Sequence, residues 1–391
     1  MKEGWEYKKL GEVCDIVGGG TPDKKNKNFY GGNIPWATVR DMNVESVKHT
    51  EYSITKEGLD KSSSHIIHEG EVIIATRVGL GKVCLLEQDT AINQDLKGIV
   101  PKKNDINRKY LFYWFKFEAK NIISNGVGAT VKGVKLSFIN NLSFPCISLS
   151  EQHRIVSYLD AAFAKIDAVA KNAEDALNEA KALFQSALAK MMEPKEGWEE
   201  KTLEDICESV NYGTSKPSIE NGEYKYLRMN NITNDGFLDL SHYKTISLSG
   251  KELDKSIVKR GDILFNRTNS RELVGKSCVF TEDEPMVIAG YLIRIRLKAG
   301  LEPQFITYNM NLQRSLGYFN HLIVGAVHQA NISAKNIQKV HIVCPPLSTQ
   351  QSIVATLDNL KSKVDQLQSN ISRTLTECAA LKQSILRKTF E

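Results

Sequence analysis

Ser150-Glu151-Gln152-His153-Arg154-Ile155-Val156-Ser157-Tyr158-Leu159-Asp160 opens a stretch that reaches Met192 without a glycine or a proline. Apolar residues recur at Ile155, Leu159, Ala162, Ile166, Val169, Ala173, Ala176, Ala180, Leu183 and Ala187, in steps of four and three. That spacing is a heptad seam, and it predicts one long helix with a single apolar stripe. About 40 residues at about 1.5 Å each give a helix of roughly 60 Å.

The pattern returns near the end of the chain. From Ser348 to Phe390 the seam reads Ile353, Leu357, Leu360, Val364, Leu367, Ile371, Thr374, Cys378, Leu381 and Ile385. Each position is the first seam moved along by 198 residues, and only Thr374, with Leu375 beside it, departs. Ser150-Glu151-Gln152-His153 and Ser348-Thr349-Gln350-Gln351 read as helix starts, with a hydroxyl to cap free amides.

Working outward, the flanks repeat as well. Pro145-Cys146-Ile147-Ser148-Leu149-Ser150 returns as Cys344-Pro345-Pro346-Leu347-Ser348. Lys2-Glu3-Gly4-Trp5-Glu6 returns as Lys195-Glu196-Gly197-Trp198-Glu199. A repeat this long is not a solenoid, whose units run to about 50 residues. It is a duplicated domain-plus-helix unit. The segments are residues 1–149, a helix at 150–194, residues 195–346 and a helix at 347–391.

Equal length and phase favour the two helices packing on each other, the alanines of the first allowing close approach. The first helix delivers the chain through Glu193-Pro194 into the second domain, and no linker is long enough for a parallel return. The expected fold is therefore α+β: two similar globular domains separated by a long antiparallel two-helix coiled coil, pseudo-two-fold and quasi-circular. Two separate amphipathic helices, each on its own domain, are the bland alternative. A trimeric or intermolecular coiled coil is another.

The chain has 391 residues, 41% apolar and 25% charged, with a formal net charge of +5. Those values suit a globular protein of two or three domains. The mild positive charge permits a polyanionic partner without requiring one. Seven cysteines without a C-x-x-C pair argue against zinc ribbons and disulfide frameworks, and read as buried free thiols. The start Met1-Lys2-Glu3-Gly4-Trp5 has no apolar signal region, and no run of 18 apolar residues occurs. A cytoplasmic protein is expected.

Both domains look mixed. Val72-Ile73-Ile74-Ala75 and Ile263-Leu264-Phe265 read as matching strands, and Tyr110–Phe115 and Gln304–Asn309 as matching helices. Enzyme signatures fail. Val274-Gly275-Lys276-Ser277 and Gly79-Leu80-Gly81-Lys82 lack the rest of a P-loop, and Gly18-Gly19-Gly20 runs into Thr21-Pro22 as a loop. His65-Ile66-Ile67-His68 lacks the metalloprotease glutamate and spacing. No Gly-x-Ser-x-Gly elbow and no base-methylation motif are present. No catalytic or metal-binding constellation is expected.

What recurs instead is polar, basic loop chemistry. Thr21, Lys24, Lys25 and Lys27 pair with Thr214 and Lys216. The segment 38–43, with Arg40, pairs with 226–231, with Arg228 and Asn230, and Ala75-Thr76-Arg77 pairs with Asn266-Arg267-Thr268, which continues to Asn269 and Arg271. Lys82 follows the first of these loops, and Thr130 and Lys132 pair with His328 and Gln329 near the domain ends. Lysine and arginine hold phosphates, while arginine, asparagine and glutamine read purine edges. One such residue is usually a solvated surface group. Recurrence at matched places with varied side chains is what two related readers of different sequences need.

These features resemble the specificity (S) subunit of type I restriction–modification enzymes across essentially the whole chain. The resemblance rests on Glu3-Gly4-Trp5-Glu6 followed by Leu10-Gly11-Glu12-Val13, on Gly19-Gly20-Thr21-Pro22, on Ile34-Pro35-Trp36, and on Leu149-Ser150-Glu151-Gln152 before Ile155-Val156 and Leu159-Asp160. The second half is more divergent, with Lys225-Tyr226-Leu227-Arg228 in place of the Pro-Trp run. The resemblance implies two target recognition domains (1–149 and 195–346), each reading half of a bipartite asymmetric DNA site. It implies two conserved spacer helices that fix the half-site gap. The implied partners are double-stranded DNA, two methyltransferase (M) subunits and restriction (R) subunits. No cofactor is expected in this chain; S-adenosylmethionine, Mg²⁺ and ATP belong to the partners. A stand-alone two-domain DNA-binding regulator and a non-enzymatic coiled-coil scaffold are the competing readings.

Overall fold

The computed structural model describes residues 2, 4–128, 132–326 and 329–391. Its contacts divide the chain into two units. One holds residues 1–174 with 371–391, and the other residues 175–370. The division falls inside both long helices, Leu149–Met191 and Leu347–Phe390. The sequence reading sets the helices apart as segments of their own; here each half-helix packs into the core of its unit.

In the first unit, Glu6–Lys9 pairs antiparallel with Ser143–Cys146, so the start and end of the globular part are stitched together. A five-stranded sheet runs in the order Cys14–Gly18, Leu96–Pro101, Val72–Ala75, Val83–Leu86, Ser46–Val47. A four-stranded sheet runs Tyr52–Ile54, Tyr30–Ala37, Thr90–Ile92, Ile66–Ile67, with a parallel pair at its centre. The aromatic run is buried in the helix Arg108–Ser124, where Trp114 packs edge-on to Phe144 at 5.0 Å.

The second unit repeats this order. Glu199–Thr202 pairs with His341–Cys344. Cys207–Tyr212, Leu292–Leu297, Ile263–Asn266 and Ser277–Val279 form one sheet. Lys244–Ile246, Tyr224–Leu227, Met286–Ile288 and Ile257–Val258 form the other, again with a parallel centre. The helix Pro303–Ser315 takes the place of Arg108–Ser124. A small third sheet of Thr268–Asn269, Gln329–Asn331 and Val324–Ala326 is added.

The long helices pair antiparallel within each unit. In the first, Lys382 donates to Asp167 at 2.5 Å and lies 5.2 Å from the Phe163 ring centre. Nearer the first helix's start, Tyr110 meets Phe390 at 5.5 Å, and Lys2 donates to the Thr389 carbonyl. In the second unit, Leu188 and Met192 share a core with Leu357 and Ile353. One helical stretch away, Lys181 and Phe184 border the same small cavity as Val364 and Gln368.

Two details of the helices differ from the sequence reading. The first begins one residue earlier, at Leu149, while the second begins at Leu347 as read; the Ser148 hydroxyl accepts from the Glu151 amide, so the cap of the first is Ser148 and not Ser150. The seam is also rotated. Ile155, Leu159 and Ile166 are buried, as are Leu357, Val364 and Ile371; Leu360, Leu367 and Ile385 are partly buried. Val169 and Leu183, however, are 53% and 70% exposed, and Leu381 is 51% exposed. The stripe passes instead through Phe163, Ala170, Leu177 and Phe184, and through Lys382. The cause is a second partner: Phe163 packs on Tyr113 and Phe184 on Tyr308, so each stripe serves the globular part as well as the other helix.

Candidate nucleic-acid interface

In the first unit, the parallel strands Tyr30–Ala37 and Thr90–Ile92 end side by side. The segments leaving both strands lie on one cleft of about 610 Å³. Of the candidate contact residues, Thr21, Lys24 and Arg40 line it, together with Trp36, Tyr52, Asn93, Gln94 and Asp95. Trp36 holds the Gly20 carbonyl at 3.2 Å and Tyr30 the Pro22 carbonyl at 2.7 Å, which fixes the loop carrying Thr21. A Cβ at Gly19 would sit 2.1 Å from the Asn93 carbonyl, so only glycine allows that approach. Asp41 accepts from the Thr38 amide at 2.7 Å and closes the turn Val39–Asp41 that presents Arg40.

The charges on this cleft and on the segments beside it are loosely held. Arg40 is 71% exposed, 3.3 Å from Glu51, and donates to the Tyr52 hydroxyl. Arg77 lies 3.5 Å from Asp95. Thr21 donates to Gln94. Exposed ion pairs of this kind contribute little to stability, so they exchange readily for a ligand's acceptors. Lys24, Lys25, Lys27 and Lys132 are exposed. Lys82 is different: its ammonium is taken up by Asn43 and the Val39 carbonyl. Thr130 lies outside the described residues.

In the second unit, Thr214 is buried and its hydroxyl donates to Glu252, which also pairs with Lys216 at 2.9 Å. Thr214 is therefore a frame residue and has no hydroxyl to offer a ligand. Arg267 lies 4.8 Å from the Tyr212 ring centre and donates to the Gly290 carbonyl. Arg228 is partly buried, while Asn230, Arg271 and Gln329 are exposed. Asn269 accepts from the amide of Ser270. His328 lies outside the described residues.

Backbone hydrogen bonds show which positions correspond. Gly20 and Thr214 donate to Ile92 and Ile288, Trp36 and Tyr226 hold the carbonyls of Gly20 and Thr214, and Thr76 and Arg267 donate to Asp95 and Tyr291. On this register Arg40 corresponds to Asn230, and Arg228 to Thr38. Arg267 corresponds to Thr76, and Arg77 to Thr268. Pairing Ala75-Thr76-Arg77 with Asn266-Arg267-Thr268 agrees with this register, whereas pairing Arg40 with Arg228 is corrected: the backbone repeats, but the arginines stand at neighbouring positions. The sequence reading also missed Asn93-Gln94-Asp95, which corresponds to Ala289-Gly290-Tyr291. The polar turn directly after the strand Thr90–Ile92 was the available signal.

All seven cysteines are free. Burial pushes the thiols of Cys14, Cys207 and Cys278 up to about 12, which suits packing rather than nucleophilic chemistry. Among the described residues, no group of three or more His, Cys, Asp or Glu is placed to hold a metal ion, and no helix is long and apolar enough to cross a membrane.

The family model for the type I restriction modification DNA specificity domain matches residues 2–179 and again 195–377. The MjaIX type I restriction enzyme specificity subunit of Methanocaldococcus jannaschii is 25% identical over 288 residues, covering 68% of this chain and just 66% of that subunit. The StySPI specificity subunit of Salmonella potsdam is 24% identical over 415 residues, covering 100% of this chain and 89% of the relative. A solved chain from work on complex assembly and conformational transition of the type I R-M system has a similar fold, with a TM-score of 0.78 and 22% identity over 100% of this chain and 98% of that one. Matched twice by one family model over most of its length, the chain belongs to the type I restriction–modification specificity subunits.

Proposed function

We propose that the chain is the DNA-reading subunit of a type I restriction–modification complex. Each sheet-rich part reads one half of a bipartite asymmetric site in double-stranded DNA. The paired helices set the half-site spacing and dock two methyltransferase subunits, which restriction subunits join. The chain itself is non-catalytic; S-adenosylmethionine, Mg²⁺ and ATP are the partners' cofactors. It works in the cytoplasm, a reducing compartment suited to seven free thiols.

One observation carries this reading. The two units repeat the same backbone hydrogen bonds while the chemistry at the loop positions changes: Thr38 and Arg40 in one, Arg228 and Asn230 in the other. A repeated frame with exchanged donors and acceptors suits two readers of unlike sequences, because base edges are told apart by hydrogen-bond pattern. The modest net charge of +5 suits a subunit that shares its grip on phosphates with partners.

The test is spacing. DNA half-sites turn with a period of about 10.5 base pairs, so a ruler of fixed length admits one separation. Removing four residues from both long helices, in the complex with the methyltransferase subunits, changes the spacer in the methylated motif. An unchanged motif in the methylome rejects the ruler.

A further inference from the structure

Two short Gly-Lys segments, Gly79-Leu80-Gly81-Lys82 and Val274-Gly275-Lys276-Ser277, are left without a role by the failed phosphate-loop match. They occupy the same place in the two units. Lys82 and Lys276 receive the amides of Ala75 and Asn266 on their carbonyls. Each lysine follows a glycine with positive φ, +85° at Gly81 and +87° at Gly275, a conformation that glycine adopts without strain.

Their ammonium groups do the same thing. Lys82 Nζ lies 2.6 Å from Asn43 Oδ1 and 3.4 Å from the Val39 carbonyl. Lys276 Nζ lies 2.7 Å from the Ile232 carbonyl and 3.4 Å from Asn234 Oδ1. Among the described residues neither has a carboxylate within ion-pair distance. Lys276 is 5% exposed, and burial, then the nearby Arg314, lower its proton affinity. A buried ammonium without an acid is costly unless its hydrogen bonds are needed. Its acceptors lie on or just after the turns Val39–Asp41 and Met229–Asn231, which carry Arg40 and Asn230.

We infer that Lys82 and Lys276 are positioning residues, each clamping the base-reading turn of its own unit onto the neighbouring hairpin, and that neither contacts phosphate. The inference rests on the proposed function. It makes the turn an exchangeable cassette: the side chains on it differ between units, while each lysine takes a carbonyl and an asparagine on or just after its own turn.

The experiment uses the full chain with its methyltransferase subunits, methylome sequencing, and binding to the motif duplex over a salt series. Lys82→Met relaxes one half of the motif and Lys276→Met the other. Each loses about tenfold in affinity for the intact motif, as expected for charge-assisted hydrogen bonds, with the salt slope unchanged. Asn43 also donates to the Arg40 carbonyl, so the cleaner acceptor variant is Asn234→Ala, which keeps the Lys276 ammonium, removes one of its acceptors and relaxes the same half as Lys276→Met; it decides the matter if a lysine variant does not fold. A salt slope lower by about 0.9, with all sequences weakened alike, marks a phosphate contact and overturns the clamp. Equal loss at both halves from either variant also overturns it. A wild-type complex without any bipartite motif overturns the functional reading beneath it.

Discussion

Tyr308 donates a 2.6 Å hydrogen bond to Asp358, tying the helix Pro303–Ser315 to the second long helix. Tyr113 and Asp160 make the same bond in the first unit. Burial first, and the bonded carboxylate second, push both phenols well above their usual range. Buried glutamines complete the anchor. Gln350 accepts from the Glu302 amide and donates to the Pro345 carbonyl; Gln152 does likewise with Asn107 and Ile147. Under the proposed function, these joints couple each long helix to the sheet-rich part of its own unit.

Removing one joint has a measurable cost. Tyr308→Phe removes the donor and leaves Asp358 free to bind water, so the loss is about 1 kcal/mol in urea unfolding. Gln350→Ala strands buried backbone groups and costs more, about 1–3 kcal/mol. A Gln350→Ala variant as stable as wild type contradicts the anchor.

The seam has unequal positions. Leu357 is fully buried, and Leu357→Ala costs about 2–5 kcal/mol through lost burial and an unfilled cavity. Leu183 faces outward, and Leu183→Ser stays within about 0.5 kcal/mol of wild type in the free chain. Denaturant unfolding of the two variants separates the observed stripe from the strict heptad.

Alkaline pH weakens the fold. Burial raises the Cys14, Cys207 and Cys278 thiols from 9.0 to about 12, and Cys84 to about 11. Their folded values lie above the unfolded one, so the folded state holds these protons more tightly. The contribution is complete below about pH 9 and disappears as pH rises through 11 and 12. The guanidinium midpoint therefore falls between pH 9 and 11; a midpoint that rises there contradicts the burial.

Phosphate and base contacts separate by salt. Lys24, Lys25 and Lys27 stand exposed on one loop. Changing all three to Ala weakens binding to all duplexes alike and lowers the salt slope by about 0.9 for each phosphate no longer neutralised. Gln94→Ala, on the cleft, changes base preference at one half-site and leaves that slope intact.

The long helices were legible because about 40 residues without Gly or Pro leave little else to form. Their rotation was not, because Ala162, Ala170, Ala173 and Ala176 give little preference between neighbouring faces. Phe163, Leu177 and Phe184 carried the missing signal, each one residue beyond the strict seam position. The cleft was half legible. Thr21, Lys24 and Arg40 follow local turn chemistry, whereas Asn93-Gln94-Asp95 reaches them only through the parallel strand pair, a long-range contact with no local motif. Residue type alone paired Arg40 with Arg228, which the hydrogen-bond register corrects.

Replacing residues 1–149 with the corresponding part of another family member, and then sequencing the methylome made by the assembled complex, tests the division of labour most directly. The account predicts that one half of the bipartite motif changes while the other half and the spacer stay. A motif altered in both halves, or in neither, contradicts it.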